Sequence, residues 1–412
     1  MGNGQQGFPK KLIESTSFKS FSTFKKKETL AVRFTRLILI EPSPSKQHPV
    51  CYKAVSKTII KGDDSMKFYI KQHQHYCGID LHAKTMYICI LDSKGRVKFH
   101  KNLKTSPDAL MEAIKPYLDN LVVAVECMFA WYWVADFCED NNIEFILGHA
   151  LYMKAIHGGK AKNDKVDSHK IASLARGGTF PMAFVYPRDM RSTRDLLRRR
   201  MHLMRKRSEL LGHIHNTNTQ YNYDPIGKNL RYKSNRKLVD ERFNDPSVQK
   251  NVDLDMQLIN FYDEQLTGVE YYIKKHAKIN DYQSHMLLNS VPGIGKIISL
   301  VILYEIYDIK RFPSVQDFAS YARLVKCKAE SAGKSYGTSG AKIGNAHLKW
   351  AFSEAAVIFL RGNPKAKAYV NKMTKKHNKG KALSILAHKL GRAVYFMLKR
   401  KQPFNMNKFL PV

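Results

Sequence analysis

The segment Leu121-Val122-Val123-Ala124-Val125-Glu126 is apolar without a break and closes on a carboxylate. A strand with one wet face alternates apolar and polar residues. An unbroken run rich in β-branched side chains needs cover on both faces, so it asks for a sheet with helices packed on either side. Tyr76-Cys77-Gly78-Ile79-Asp80 has the same form, short and apolar with an acid at its end. Lys84 to Leu91 is rich in strand formers, Asp92-Ser93-Lys94-Gly95 is a turn signal, and Arg96 to Asn102 reads as a third strand. Ser106-Pro107-Asp108 opens a helix with proline in its first turn. A helix is expected over 130–141 and a short strand over Ile143 to Leu147. Hairpins come first and strands then alternate with helices, which predicts a mixed α/β sheet with helices on its faces.

Carboxylates avoid burial unless they are paired, so acids at the ends of buried strands are poor structural choices. Asp80 and Glu126 hold those places. Two more acids, Asp164 and Asp167, stand in the polar, basic run Lys162-Asn163-Asp164-Lys165-Val166-Asp167-Ser168-His169-Lys170, just before the apolar periodicity of Ile171, Ala172 and Leu174. Residues three apart share a helix face, so both carboxylates point to one place at a helix start. Each acid has a plainer explanation: first-turn Asp for the helix pair, a turn residue for Asp80, a lysine partner for Glu126. Four acids converging from two strands and a helix need a counter-charge, which a hard divalent cation supplies. Two such ions about 3.5–4 Å apart suit phosphodiester chemistry.

The formal net charge is +34, from 69 Lys and Arg against 35 Asp and Glu. That excess implies a polyanionic partner, most simply nucleic acid. A membrane-spanning helix is not expected, because no apolar run reaches roughly 18 residues. The six cysteines show no paired short spacing, which argues against a zinc site or a disulfide framework and fits a reducing cytoplasm. Residues 1–70 are rich in Lys, Ser, Thr and Phe, carry no secretory signal, and are expected to be a disordered extension, with Met66 as a candidate true start.

Residues 188–215 read as one long helix with an apolar stripe at Met190, Leu197, Met201, Met204 and Leu211. A basic stripe at Arg191, Arg194, Arg198, His202 and Arg205 is expected to face phosphates. Residues 216–246 look loop-like, with Tyr221, Tyr223 and Tyr232 as candidates for base stacking. A second helix over 247–277 is expected to pair with the first as an antiparallel hairpin or to mediate dimerisation. Val291-Pro292-Gly293-Ile294-Gly295-Lys296 reads as the turn of a helix-hairpin-helix, with Gly293, Gly295 and Lys296 offered to a phosphate. The segment from Glu330 to Asn345 is a glycine-rich, basic loop that lacks Walker spacing and sets Lys334 and Lys342 beside several hydroxyls. A serine there becomes a nucleophile if a base or metal activates it; the residues alone leave open which one. Helices over 347–360, 365–375 and 381–399 complete the chain. The expected division is an extension over 1–70, an α/β part over 75–185, a helical part over 186–280, a mostly helical part over 281–402 and a tail over 403–412.

The pieces GIDLHAK around Asp80, AVECMFAWYW around Glu126, KNDKVDSHKIA around Asp164 and Asp167, VPGIGKIISLVILYEIYDIKRF and SAGKSYGTSGAKIGNAHLKWAFSEAA stand in this order. Together they resemble the DEDD-type transposases of insertion sequences, the family typed by insertion sequence 110, over about 75–402. The resemblance implies a RuvC-like, RNase H-fold domain, a coiled-coil helical hairpin and a transposase domain. It implies that Asp80, Glu126, Asp164 and Asp167 bind Mg²⁺ (or Mn²⁺) and that Ser331 attacks DNA. It further implies double-stranded donor and target DNA, a structured bridge RNA as guide, a prokaryotic cytoplasmic setting, and a dimer or tetramer in which one protomer's acids meet another's serine. Arg323 and Lys326 depart from the family, which usually has Gly and Pro there. The alternative reading is a RuvC-like endonuclease of the Holliday-junction type, which would use the same acids without the serine. An ATPase of the actin and sugar-kinase class would need paired glycine-rich phosphate loops, and none lies between Tyr76 and Lys170.

Overall fold

The apolar runs become the two central strands of a five-stranded mixed sheet. In the computed structural model, which describes residues 68–157, 163–331, 333–339 and 343–410, the first part of the chain forms β1 (Phe68–Tyr69), β2 (His75–Leu81), β3 (Thr85–Asp92), β4 (Val97–Lys104), α1 (Pro107–Ile114), β5 (Leu121–Glu126), α2 (Trp131–Asp140), β6 (Glu144–Gly148), α3 (Ala150–His157), α4 (Asp164–Arg176) and β7 (Phe180–Pro181). The sheet order is β4-β3-β2-β5-β6, antiparallel from β4 to β2 and parallel from β2 to β6. The expected extension lies, through residue 67, outside the described residues, as does Lys342.

Period-two alternation sends each strand's side chains to two covers. Cys77, Ile79, Leu81, Val123 and Val125 pack under α1 and α2. Tyr76, Val122, Ala124 and Ile146 pack against Ile171, Leu174 and Ala175 of α4. Gly78 lets that second layer come close: a Cβ built there would stand 2.3 Å from the Ala172 nitrogen and 2.4 Å from the Ser168 carbonyl oxygen. Those are backbone atoms, so any side chain at 78 pushes α4 off the sheet.

The long helix is α5 (Arg188–Gln220), and α6 (Pro246–His276) returns antiparallel to it. Arg200 pairs with Glu270 at 2.6 Å and Arg207 with Asp263 at 2.5 Å, and His213 bonds Asp255, a ladder whose two numbers run in opposite directions. Of the expected apolar stripe, Met190, Leu197, Met201 and Leu211 are buried: Leu211 packs on α6, whereas Met190 and Leu197 join the C-terminal core and Met201 meets His347. The segment between the helices is not simply a loop. Leu230, Val239 and Phe243 form a small core with Leu211, Ile214 and Val252, and Tyr223 packs edge-on to Phe243. Tyr221 and Tyr232 stay exposed.

Beyond α6 the chain forms α7 (Tyr282–Asn289), α8 (Lys296–Ile306), α9 (Val315–Tyr321), β8 (Cys327–Ser331), β9 (Lys334–Ser339), α10 (Ala346–Phe359), α11 (Pro364–Thr374), α12 (Lys379–Arg400) and α13 (Met406–Phe409). Helix α8 is buried from Ile298 to Ile306 at the centre of this packing. The stretch expected as a flexible glycine-rich loop is largely a β-hairpin, in which Ser331 pairs with Lys334 and Gly333 takes φ +74°. Its base is fastened: the Arg323 guanidinium donates to the Ile343 carbonyl at 2.7 Å, and the Asn345 amide donates to the Tyr321 carbonyl at 2.6 Å. Arg323 sits at φ +54°, a left-handed conformation that favours glycine. Holding Arg323 there carries some backbone cost, and its guanidinium bond ties the same turn to residue 343. No helix among the described residues is long and apolar enough to cross a membrane.

Candidate active site

The register decides where the strand-end acids point. Ile79 pairs with Val125 across the parallel strands, so the next residues, Asp80 and Glu126, end neighbouring strands side by side. Both follow the parity of Tyr76 and Ala124, which puts them on the α4 face. Helix α4 begins there because Asn163 caps it, its side-chain oxygen accepting from the Lys165 amide at 2.9 Å. Asp164 and Asp167 fall in its first turn. The close approach at Gly78 sets the height of that turn over β2.

Asp80 and Asp164 are brought together, and with them a residue that the sequence reading passed over. His82 Nε2 lies 3.5 Å from Asp80 Oδ2 and 3.6 Å from Asp164 Oδ2. One donor atom from each of the three lies within 4.8 Å of the others. Glu126 and Asp167 stand outside this group: Glu126 on the same sheet face, Asp167 with Oδ1 3.3 Å from Lys170 Nζ. The one sequence signal for His82 was its place two residues after a strand-end acid. Two carboxylates and an imidazole nitrogen that has no hydrogen-bond partner fit a divalent cation by donor chemistry.

The other candidate residues fall elsewhere. Ser331 is exposed at the end of β8, outside the three-residue group, and Lys334 across the hairpin is exposed too. At Gly293, with φ +87°, only glycine fits because α10 passes close: a Cβ there would meet the Ala355 oxygen at 2.6 Å. Gly295 and Lys296 are exposed at the start of α8, on a recess of about 630 Å³ that Lys274 also lines.

The basic stripe of α5 needs correction. Arg191 is 4% and Arg194 is 7% exposed, so neither faces phosphate. Arg191 bonds Asp136 at 2.5 Å and stacks on Trp131, while Arg194 and the half-buried Arg198 converge on Glu305. Of the four arginines proposed for nucleic acid, Arg205 is the exposed one. Glu305, missed in the sequence, is 2% exposed and accepts from Arg194 at 2.9 Å, Arg198 at 2.7 Å and Asn345 at 2.8 Å. Burial would push its carboxyl up, but the Arg198 hydrogen bond and both arginine charges outweigh burial and hold it down at about 2. Asn345 in turn caps α10, accepting from the His347 and Leu348 amides. Burial, then the Arg198 charge, pushes the His347 imidazole down to about 4. Arg198, His347 and Cys127, the residue after Glu126, line one cavity of about 630 Å³ where the α/β part meets the C-terminal helices.

A family model described as Transposase, of the IS110 DEDD type, matches residues 77–223, and one described as Transposase IS116/IS110/IS902 family matches residues 285–371. The chain is 22% identical over 337 residues to the transposase for insertion sequence element IS1111A of Coxiella burnetii, covering 79% of this chain and 90% of that protein. It is 23% identical over 250 residues to the transposase for insertion sequence element IS1328 of Yersinia enterocolitica, covering 59% and 74%. These matches mark the class: a transposase, an enzyme that cuts DNA, whose DEDD-type domain implies use of divalent metal, and the five-stranded mixed sheet is compatible with an RNase H-like domain of that type. Within that class, the chain belongs to the IS110 family.

Proposed function

We propose that this transposase cuts and rejoins DNA at a composite site in which Asp80, Glu126, Asp164 and Asp167 hold divalent metal and Ser331 is the nucleophile. The observation that carries the reading is the meeting of Asp80 and Asp164, from separate elements, at one accessible point. Ser331 Oγ gives up its proton and attacks phosphorus; the bond to one deoxyribose oxygen breaks and that oxygen takes up a proton. A hydroxyl of the new partner strand then attacks the phosphoserine and releases the serine, so no bond energy is lost. Bound metal would neutralise charge at the phosphate and favour the serine alkoxide.

Ser331 stands on an exposed hairpin, so it is open to the acids of a second protomer. We assign that meeting to an oligomer built through α5 and α6, whose outer face exposes Leu258, Phe261 and Tyr272. Both DNA and a structured guide RNA suit a chain of net charge +34. Exposed Arg205, Lys296 and Lys334 are the proposed phosphate contacts, with the Gly293–Lys296 turn acting as a helix-hairpin-helix. The test is trapping of the covalent intermediate on end-labelled donor DNA. The wild-type chain should form a protein–DNA adduct and Ser331→Ala should form none. Full-rate cutting by Ser331→Ala would sink the serine role and favour the junction-endonuclease reading.

A further inference from the structure

We infer that His82 is a direct ligand of the divalent ion held by Asp80 and Asp164, and that its imidazole tilts this site towards a first-row ion such as Mn²⁺ over Mg²⁺. The inference rests on the reading of the acids as metal ligands. Its geometric basis begins with the backbone. The His82 amide donates to the Thr85 carbonyl at 2.9 Å, the Thr105 hydroxyl donates to the His82 carbonyl at 2.9 Å, and the Thr105 amide donates to the Lys84 carbonyl at 3.0 Å. These bonds lock the turn after β2, so the ring is presented from a fixed frame.

Nε2 is sealed from solvent and has no hydrogen-bond partner, although two carboxylates flank it at 3.5 and 3.6 Å. An ordinary imidazolium–carboxylate pair would close to about 2.7–2.9 Å. A buried polar nitrogen left unbonded keeps its full desolvation cost. Coordination to a cation shared with both carboxylates satisfies it at the observed spacing. Ligand atoms lie about 2.0–2.2 Å from a small divalent ion, which sets neighbouring donors roughly 3–4 Å apart. The ring and the Asp164 side chain lie at the surface, 44% and 49% exposed, while Nε2 itself is turned inward between the two carboxylates. Mg²⁺ prefers oxygen and keeps its waters, whereas imidazole suits first-row transition ions, so His82 acts on which metal binds as well as how tightly.

The test is calorimetric titration of Mn²⁺ and of Mg²⁺ into the full chain, with pulsed electron paramagnetic resonance on the Mn²⁺-loaded protein. The wild-type chain should show ¹⁴N coupling from a bound imidazole. His82→Ala should lose that coupling and bind Mn²⁺ about tenfold more weakly, with Mg²⁺ affinity changed by less than about threefold. His82 is half exposed, so circular dichroism should show the variant folded. Unchanged Mn²⁺ affinity and ¹⁴N coupling in His82→Ala, with both lost in Asp80→Asn, would overturn the role of His82 and leave the acidic site standing. Unchanged metal binding in Asp80→Asn would overturn the site itself, and the inference with it.

Discussion

Replacing Glu305 by Gln should destabilise the C-terminal helices and do so in a pH-dependent way. The carboxylate is 2% exposed and balances Arg194 and Arg198. Its pKa is held at about 2, against an ordinary value of 4.5. At 1.36 kcal/mol per unit that depression is worth roughly 3 kcal/mol. Breaking a buried pair by removing one partner costs about 3–5 kcal/mol, because the other charge is left uncompensated. The two routes agree on about 3 kcal/mol. With an m-value near 3 kcal/mol/M, the urea midpoint followed by tryptophan fluorescence should fall by about 1 M at pH 7. Because the folded pKa is depressed, the contribution is fully present above the unfolded value and is lost as pH falls from 4.5 towards 2. The gap between wild type and variant should therefore hold from pH 8 to about 5 and close below 4.5. An equal midpoint at pH 7, or a gap unchanged at pH 3, would refute the account. The same substitution should slow strand transfer without Glu305 touching DNA, since Asn345, which Glu305 holds, fastens the base of the Ser331 hairpin.

Gly78→Ala should lift α4 by about an ångström, cost roughly 1–3 kcal/mol, and weaken metal binding more than stability; a metal affinity equal to wild type would show that the α4 height does not set the site. A chain starting at Met66 retains β1 and its pairing with β7, and should transpose at the normal rate; loss of activity would give the first residues a role. Mixing Asp80→Asn with Ser331→Ala under subunit exchange should restore part of the activity, and no recovery in confirmed mixed oligomers would defeat assembly in trans. His347, held neutral by burial and by Arg198, should cost stability as pH falls from 6.5 to about 4, and His347→Gln should flatten that limb of the acid-denaturation curve.

The elements whose partners are near in sequence were legible, and those whose partners are remote were not. Strand β5 was read with its observed bounds, and α5, α6 and α10 to within a few residues, because apolar period and caps are local signals. Asp80 and Glu126 stood out because an acid at the end of a buried strand contradicts its surroundings. His82 did not, since a lone histidine in a hairpin turn contradicts nothing until α4 brings Asp164 to it. The hairpin of β8 and β9 was hidden for a different reason: Gly333 and Gly337, both at positive φ, read as flexibility although they serve the turn and twist of paired strands.

The arginines of α5 show why charge alone misled. A basic stripe at helical spacing fixes which face the charges share, and says nothing about what that face meets. The nearest acids in sequence were too few to pair with it, which made phosphate the natural partner. The partner of Arg194 and Arg198 is a single carboxylate more than a hundred residues away, in the last turn of the most apolar helix among the described residues. Glu305 there follows the same rule as Asp80 and Glu126: an acid closing an apolar run is unstable without a counter-charge. Applied evenly, the rule marks all three, and they divide by what answers them. Glu305 is answered from within by two guanidiniums and becomes a fastening between helices. Asp80 lies on a rim beside the Asp164 carboxylate and the His82 imidazole, and that is where the proposed cation would act.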